Sequence, residues 1–139
     1  MGAERLAEDI LTVSRMFRTR RYVDMTPQQY WLMRHLRRNG PQSIGEIANA
    51  LGVTMGSATI ACKRLEKAGL VTRERQVNDE RIVHVILTEQ GRAQIDAWRE
   101  HKLESIEKLL DVFDEQEQQV FQQLVERLIA TAEEQGFEA

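Results

Sequence analysis

Residues 43–71, SIGEIANALGVTMGSATIACKRLEKAGLV, hold two helical patterns separated by a turn. Ser43 and Glu46 make a capping-box signature, and Ile44, Ile47, Ala48 and Leu51 recur at the spacing of one buried helical face. Gly52 stops that helix, and Thr54 can cap the next one. On a wheel of about 100° per residue, Ala58, Ala61, Cys62, Leu65 and Ala68 fall on one side and are expected to face a core. Gly56, Ile60, Lys63 and Lys67 fall opposite, flanked by Thr59 and Arg64.

Helix, glycine-containing turn, helix is the helix-turn-helix arrangement. A lone exposed isoleucine needs no special reason. Isoleucine set among lysines nevertheless suits a helix entering the DNA major groove, where apolar side chains meet thymine methyls and Lys or Arg meets guanine. Such a helix needs small residues at its start, so that backbone N–H groups approach phosphate. Thr54, Gly56, Ser57 and Thr59 fit that need, and Ser43 opens the preceding helix.

Beyond Gly69, LVTRERQ and RIVHVIL alternate as two strands joined at Asn78 and Asp79. This hairpin carries Arg73, Arg75 and Arg81, and arginine on a projecting loop can enter a narrow minor groove. Asp79 is then expected to orient an arginine. A solvated hairpin with incidental arginines would present the same residues.

Upstream, residues 4–22 read as a helix with Leu6, Ile10, Val13 and Phe17 on one stripe, ending in the basic RTRRY. In TPQQYWLMRHL, Thr26 is the expected N-cap, Pro27 the first helical residue and Gln29 the capping-box partner, before RNGPQ breaks the chain. Downstream, Thr88 caps a long helix bearing Trp98, Ile106, Leu109 and Leu110. Asp114 and Glu117 open a last helix with Val120, Phe121, Leu124, Val125, Leu128, Ile129 and Ala132 at helical spacing.

The expected fold is mainly α with a small β-hairpin wing: one domain over 1–139, with a winged helix-turn-helix at 26–88 and a helical dimerisation part at 1–25 and 89–139. The stripes that include Leu6, Ile10, Val120, Leu124 and Leu128 exceed what a winged core of about 60 residues covers, so two chains are expected to pair through them.

The net charge of −3 conceals segregation. Residues 15–81 hold 13 Lys/Arg against 6 Asp/Glu, while residues 82–139 hold 5 against 13. A basic middle on an acidic support fits a polyanion-binding module, although ordinary variation along a helical surface gives such numbers too. No apolar run approaches the roughly 18 residues of a membrane span, and the N-terminus does not read as a signal peptide. The single Cys62 cannot close an internal disulfide, which points to a reducing cytoplasm. It lies on the inward side of its helix without a basic neighbour on that face, as a buried, inert thiol does. His35, His84 and His101 lie on separate elements without metal-ligand spacing, and no catalytic constellation or phosphate loop is present. No metal, cofactor or enzymatic activity is expected.

Together these motifs are similar to the MarR family of bacterial winged helix-turn-helix regulators over nearly the whole chain. The matching stretches are TPQQYWLMRHL, SIGEIANALGV, RLEKAGLVTR, NDER and VILTEQGR, with Asp79 and Arg81 forming the wing's Asp-x-Arg. The resemblance implies an obligate homodimer built from the first and last two helices. It implies binding to a pseudo-palindromic double-stranded operator and control, usually repression, relieved by a small ligand or an oxidant. It also implies a pocket for an aromatic acid or other effector near Phe17, Arg20, Trp31 and His35. Core packing explains Phe17 and Trp31 equally well. Ile60 stands where the family often has a polar or basic residue, and QVNDER lacks the proline that often precedes the wing's acid. The alternative is a winged-helix module that binds protein rather than DNA; the outward Lys63 and Lys67 and the wing arginines argue against it.

Overall fold

The structure is a computed structural model describing residues 2–18, 25–75, 78 and 81–137. In chain order the elements are α1 (Gly2–Arg18), α2 (Pro27–Asn39), β1 (Gln42–Ser43), α3 (Ile44–Leu51), α4 (Met55–Lys67), β2 (Val71–Arg75), β3 (Val83–Leu87), α5 (Glu89–Leu110) and α6 (Glu115–Glu134). The chain divides into two compact units, residues 1–101 and 102–139.

Local chemistry sets most boundaries in the first unit. Thr26 and Gln29 exchange both capping-box bonds, each at 3.2 Å, with Pro27 in the first turn. Helix α2 ends at Gly40, whose φ of 74° is cheap only without a Cβ. Ser43 Oγ accepts from the Glu46 N–H at 3.1 Å. Only this arm of the expected box forms. Helix α4 starts on Thr54, whose Oγ1 accepts from the Ser57 N–H at 3.1 Å. It closes through Leu70 N–H to Leu65 O at 2.9 Å, with Gly69 at φ 79° making the reversal into β2.

The wing is more than a hairpin. Strand β3 is central in a three-stranded antiparallel sheet of order β1-β3-β2. Val71 pairs with Leu87 and Arg75 with Val83, while Gln42 and Ser43 pair with Val85 and His84. A strand of only two residues has no periodicity to read, and Pro41 beside it resembles a chain break.

Leu32 and Met33 from α2, Ile47 from α3, Cys62 and Leu65 from α4, and Val71 and Val85 from the sheet are all fully buried. Each large aliphatic side chain among them contributes about 1.5–3 kcal/mol by leaving water. Ile44 and Leu51 pack on this cluster partly buried. Ala68, expected inside, is exposed because it serves as the C-cap of α4 rather than as an interior position.

Trp98 of α5 lies against Tyr30 of α2, and the Arg37 guanidinium grips the Asp96 carboxylate at 3.1 and 3.4 Å. Thr88 joins the start of α5 to the turn after α4. Its Oγ1 donates to Gly69 O at 2.7 Å and accepts from the Gly91 N–H at 3.0 Å, and its own N–H donates to Leu70 O at 3.1 Å. Helix α1 leaves Leu6, Ile10, Leu11, Val13 and Met16 between 49% and 63% exposed. The expected continuation of α1 to residue 22 runs past the described residues.

In the second unit, Asp114 and Glu117 form a complete capping box, and Phe113 stacks on Phe121 at 5.5 Å. Helix α6 has no buried residue. Its Val120, Phe121, Leu124, Leu128 and Ile129 are 45–58% exposed. Among the described residues, no helix is long and apolar enough to cross a membrane.

Candidate nucleic-acid interface

Helix α4 turns Ala58, Ala61, Cys62 and Leu65 into the core, so its other face must lie outward. Gly56, Ser57, Ile60, Lys63, Arg64 and Lys67 are all exposed on it. Ile60 is 55% exposed, and Met55, in the first turn, is 60% exposed. The result is a basic face with apolar side chains near its start.

The first turn is shaped by its small residues. Among the described residues, a Cβ added to Gly56 would meet only Thr54 Oγ1, at 3.8 Å, so none of them requires glycine there. The Thr59 hydroxyl donates back to Met55 O at 2.8 Å, which leaves its lone pairs and methyl for other partners. Thr54 is committed to its cap. Ser43 is half-buried at the junction of β1 and α3, where it caps α3.

The wing arginines occupy different settings. Arg75 ends β2 and Arg81 precedes β3, both exposed. Arg73 is turned onto α4: its Nε and Nη2 donate to Glu66 Oε2 and Oε1 at 2.7 and 3.1 Å. That hydrogen bond holds the Glu66 carboxyl below the usual carboxylate range and raises the Arg73 guanidinium. Asp79 lies outside the described residues.

Cys62, beneath this pair, is 1% exposed. Burial pushes its thiol up to about 11, with Arg73 lowering it and Glu66 raising it by smaller amounts. A thiol so placed is a small apolar filler at neutral pH.

Of the four residues expected near an effector, Arg20 lies outside the described residues. Trp31 lines a groove of about 360 Å³ with Gln28, Ala50, Leu51 and Val53, and the Arg34 guanidinium lies 5.3 Å from its ring centre. Phe17 and His35 are not part of that lining. The His35 ring is engaged on both sides, Nε2 at 3.4 Å from Gln42 Oε1 and Nδ1 at 3.1 Å from Asn39 Nδ2.

Met55 and Glu66 belong to no motif that marks them in the sequence. Met55 sits about 40° from Thr59 on the wheel, so the same projection could have placed it on the outward face. Nothing periodic links Glu66 to Arg73, because helix and strand rules stop at Gly69.

A capped outward helix held against its preceding helix, followed by a three-stranded wing, defines a winged helix-turn-helix protein. The sequence model of the MarR family matches residues 23–82. The HTH-type transcriptional regulator FarR of Neisseria gonorrhoeae is 40% identical over 68 residues, which cover 49% of this chain and 47% of that protein. The chain thus spans about half the length of the first curated relatives it matches. A MarR family protein from Bacillus stearothermophilus is 26% identical with a TM-score of 0.71, over 93% of this chain and 89% of that one. The crystal structure of Streptococcus pneumoniae FabT in complex with DNA matches at 22% identity and a TM-score of 0.69, over 95% of this chain and 98% of that one. Residues 23–82 thus match the MarR family, and the fold is similar to that of a MarR family protein.

Proposed function

We propose that this chain is a sequence-specific double-stranded DNA-binding transcriptional regulator, acting in the cytoplasm as a homodimer and not as an enzyme. The observation that carries it is the outward face of α4: a glycine-opened, capped first turn, Met55 and Ile60 exposed beside it, and Lys63, Arg64 and Lys67 along its length. Helix α4 enters the major groove, with the N–H groups near Gly56 and Ser57 against phosphate and Ile60 against a thymine methyl. The wing lays Arg81 toward the adjacent minor groove. That FabT was crystallised with DNA supports this reading of the shared fold.

Two copies pair through α1, the end of α5 and α6, covering apolar side chains that one chain leaves in water. A two-fold dimer reads a pseudo-palindrome whose half-sites lie about 34–36 Å apart. The regulator is a repressor released when a small aromatic or other ligand binds.

The test is selection of duplexes from a random pool, followed by titration in rising salt. The expected result is an inverted repeat bound with an affinity that falls steeply as counterions compete. Recovery of no preferred sequence, or affinity indifferent to salt, overturns the proposal. Repeating the selection with aromatic acids present tests release.

A further inference from the structure

Helix α4 and the wing must reach two grooves of one duplex, so the angle between them matters as much as the side chains each carries. The main chain joins them at Gly69, where a single positive φ makes the reversal. A side-chain tie reaches beyond that turn. Glu66, near the end of α4, and Arg73, in the middle of β2, close a two-pronged ion pair. Such a fork fixes orientation as well as distance, because both N–H···O bonds must stay aligned.

Resting on the DNA-binding reading above, we propose that Arg73 is a positioning residue: paired with Glu66, it sets the wing at a fixed angle to α4 and does not itself neutralise phosphate. One edge of its guanidinium, Nε–H and an Nη2–H, is taken by a carboxylate, and the pair is locally neutral, so it offers DNA little net charge. Arg75 lies two residues further along β2, on the same face of the strand, and inherits the orientation that the fork imposes. The pair thereby contributes to specificity more than to affinity.

The consequences are opposite to those of a direct contact. Glu66→Gln removes a negative charge from a DNA-facing region, so binding to random duplex should tighten while binding to the selected operator weakens. The ratio of the two affinities should fall roughly threefold or more, the scale of an exposed ion pair. Arg73→Gln should lower the same ratio without changing the salt slope of operator binding. The exchanged pair, Glu66→Arg with Arg73→Glu, should recover the ratio. A direct phosphate contact predicts instead that Glu66→Gln tightens operator and random duplex alike, that Arg73→Gln flattens the slope by about one unit, and that the exchange restores nothing.

A second measurement needs no DNA. Hydrogen exchange at the Thr72–Arg75 amides of the free protein should quicken in Glu66→Gln and return to the wild-type rate in the exchanged pair, with the melting temperature of each variant recorded alongside. Unchanged exchange in Glu66→Gln, or an exchanged pair that recovers neither exchange nor the affinity ratio, overturns the positioning role. Failure of the wild type to bind any duplex would refute the DNA-binding function instead, and the exchange data would still judge the fork.

Discussion

Replacing Gly91 by alanine should destabilise the fold, although alanine is the better helix former. A Cβ at this position would run into the Leu70 carbonyl oxygen and lie 3.1 Å from Leu87 Cδ2. Ordinary carbon–oxygen contact needs about 3.3 Å, so α5 must withdraw by roughly 1 Å. The obstacle is backbone, and it cannot rotate away. The same carbonyl holds the Thr88 N–H at 3.1 Å, and Thr88 Oγ1 holds Gly69 O and the Gly91 N–H. Withdrawal therefore stretches the helix cap and its tie to the end of α4. Overpacking of this kind costs about 1–3 kcal/mol, and a lost cap costs about 1 kcal/mol more. Against this stands a gain of at most about 1 kcal/mol for alanine over glycine in a helix. The net expectation is a loss of about 2 kcal/mol, a fall of roughly 8 °C in melting temperature for a chain this size. Gly45→Ala is the control. Its Cβ would meet only Ser43 Oγ at 3.9 Å, so it should melt at or slightly above the wild-type temperature. Circular-dichroism melts at one fixed protein concentration decide the matter. A Gly91→Ala protein that melts with Gly45→Ala refutes the close approach of α5 to Leu70.

Gly56→Ala, by contrast, should leave stability unchanged or slightly raised while weakening operator binding several-fold, because its Cβ would meet DNA and not protein; equal affinity for operator would sink the close backbone approach. Ile60→Ala should cost on the order of 1 kcal/mol at one A·T position per half-site, and replacing that thymine by uracil should then matter to wild type alone. Cys62, raised from 9.0 to about 11, should react with iodoacetamide at neutral pH about 100-fold more slowly than a free thiol. Because the unfolded thiol ionises first, the stability this group contributes is complete below pH 9 and is lost as pH rises through 11; a melting temperature flat across that window, relative to Cys62→Ala, would contradict it. Leu124→Glu with Leu128→Glu should yield monomers or unfolded chains and abolish operator binding with no DNA-facing residue changed. Light scattering that shows a monomeric wild type would falsify the dimer.

The sequence by itself determined the elements and the faces of the reading helix. Thr26 with Gln29, Ser43, Thr54, Thr88 and Asp114 with Glu117 are all caps in the structure. A cap acts within one turn, so its signature is complete in four consecutive residues. The two sides of α4 were legible for the same reason: 3.6 residues per turn assigns Cys62 inward and Ile60 outward without reference to any other element. What tertiary structure alone decided lies across turns. Sequence offered Arg73 as one wing arginine among three, and folding turned it onto Glu66, seven residues earlier. Two-residue β1 exists only because β3 supplies its partners, and Gly91 is required only because Leu70 passes beneath it. The surroundings of Trp31 and His35 were set in the same way, Trp31 facing the α2–α3 groove and the His35 ring being taken by Gln42 and Asn39. Periodicity constrains a residue against its own helix or strand; which foreign group occupies the far side is set by packing, after the chain has closed.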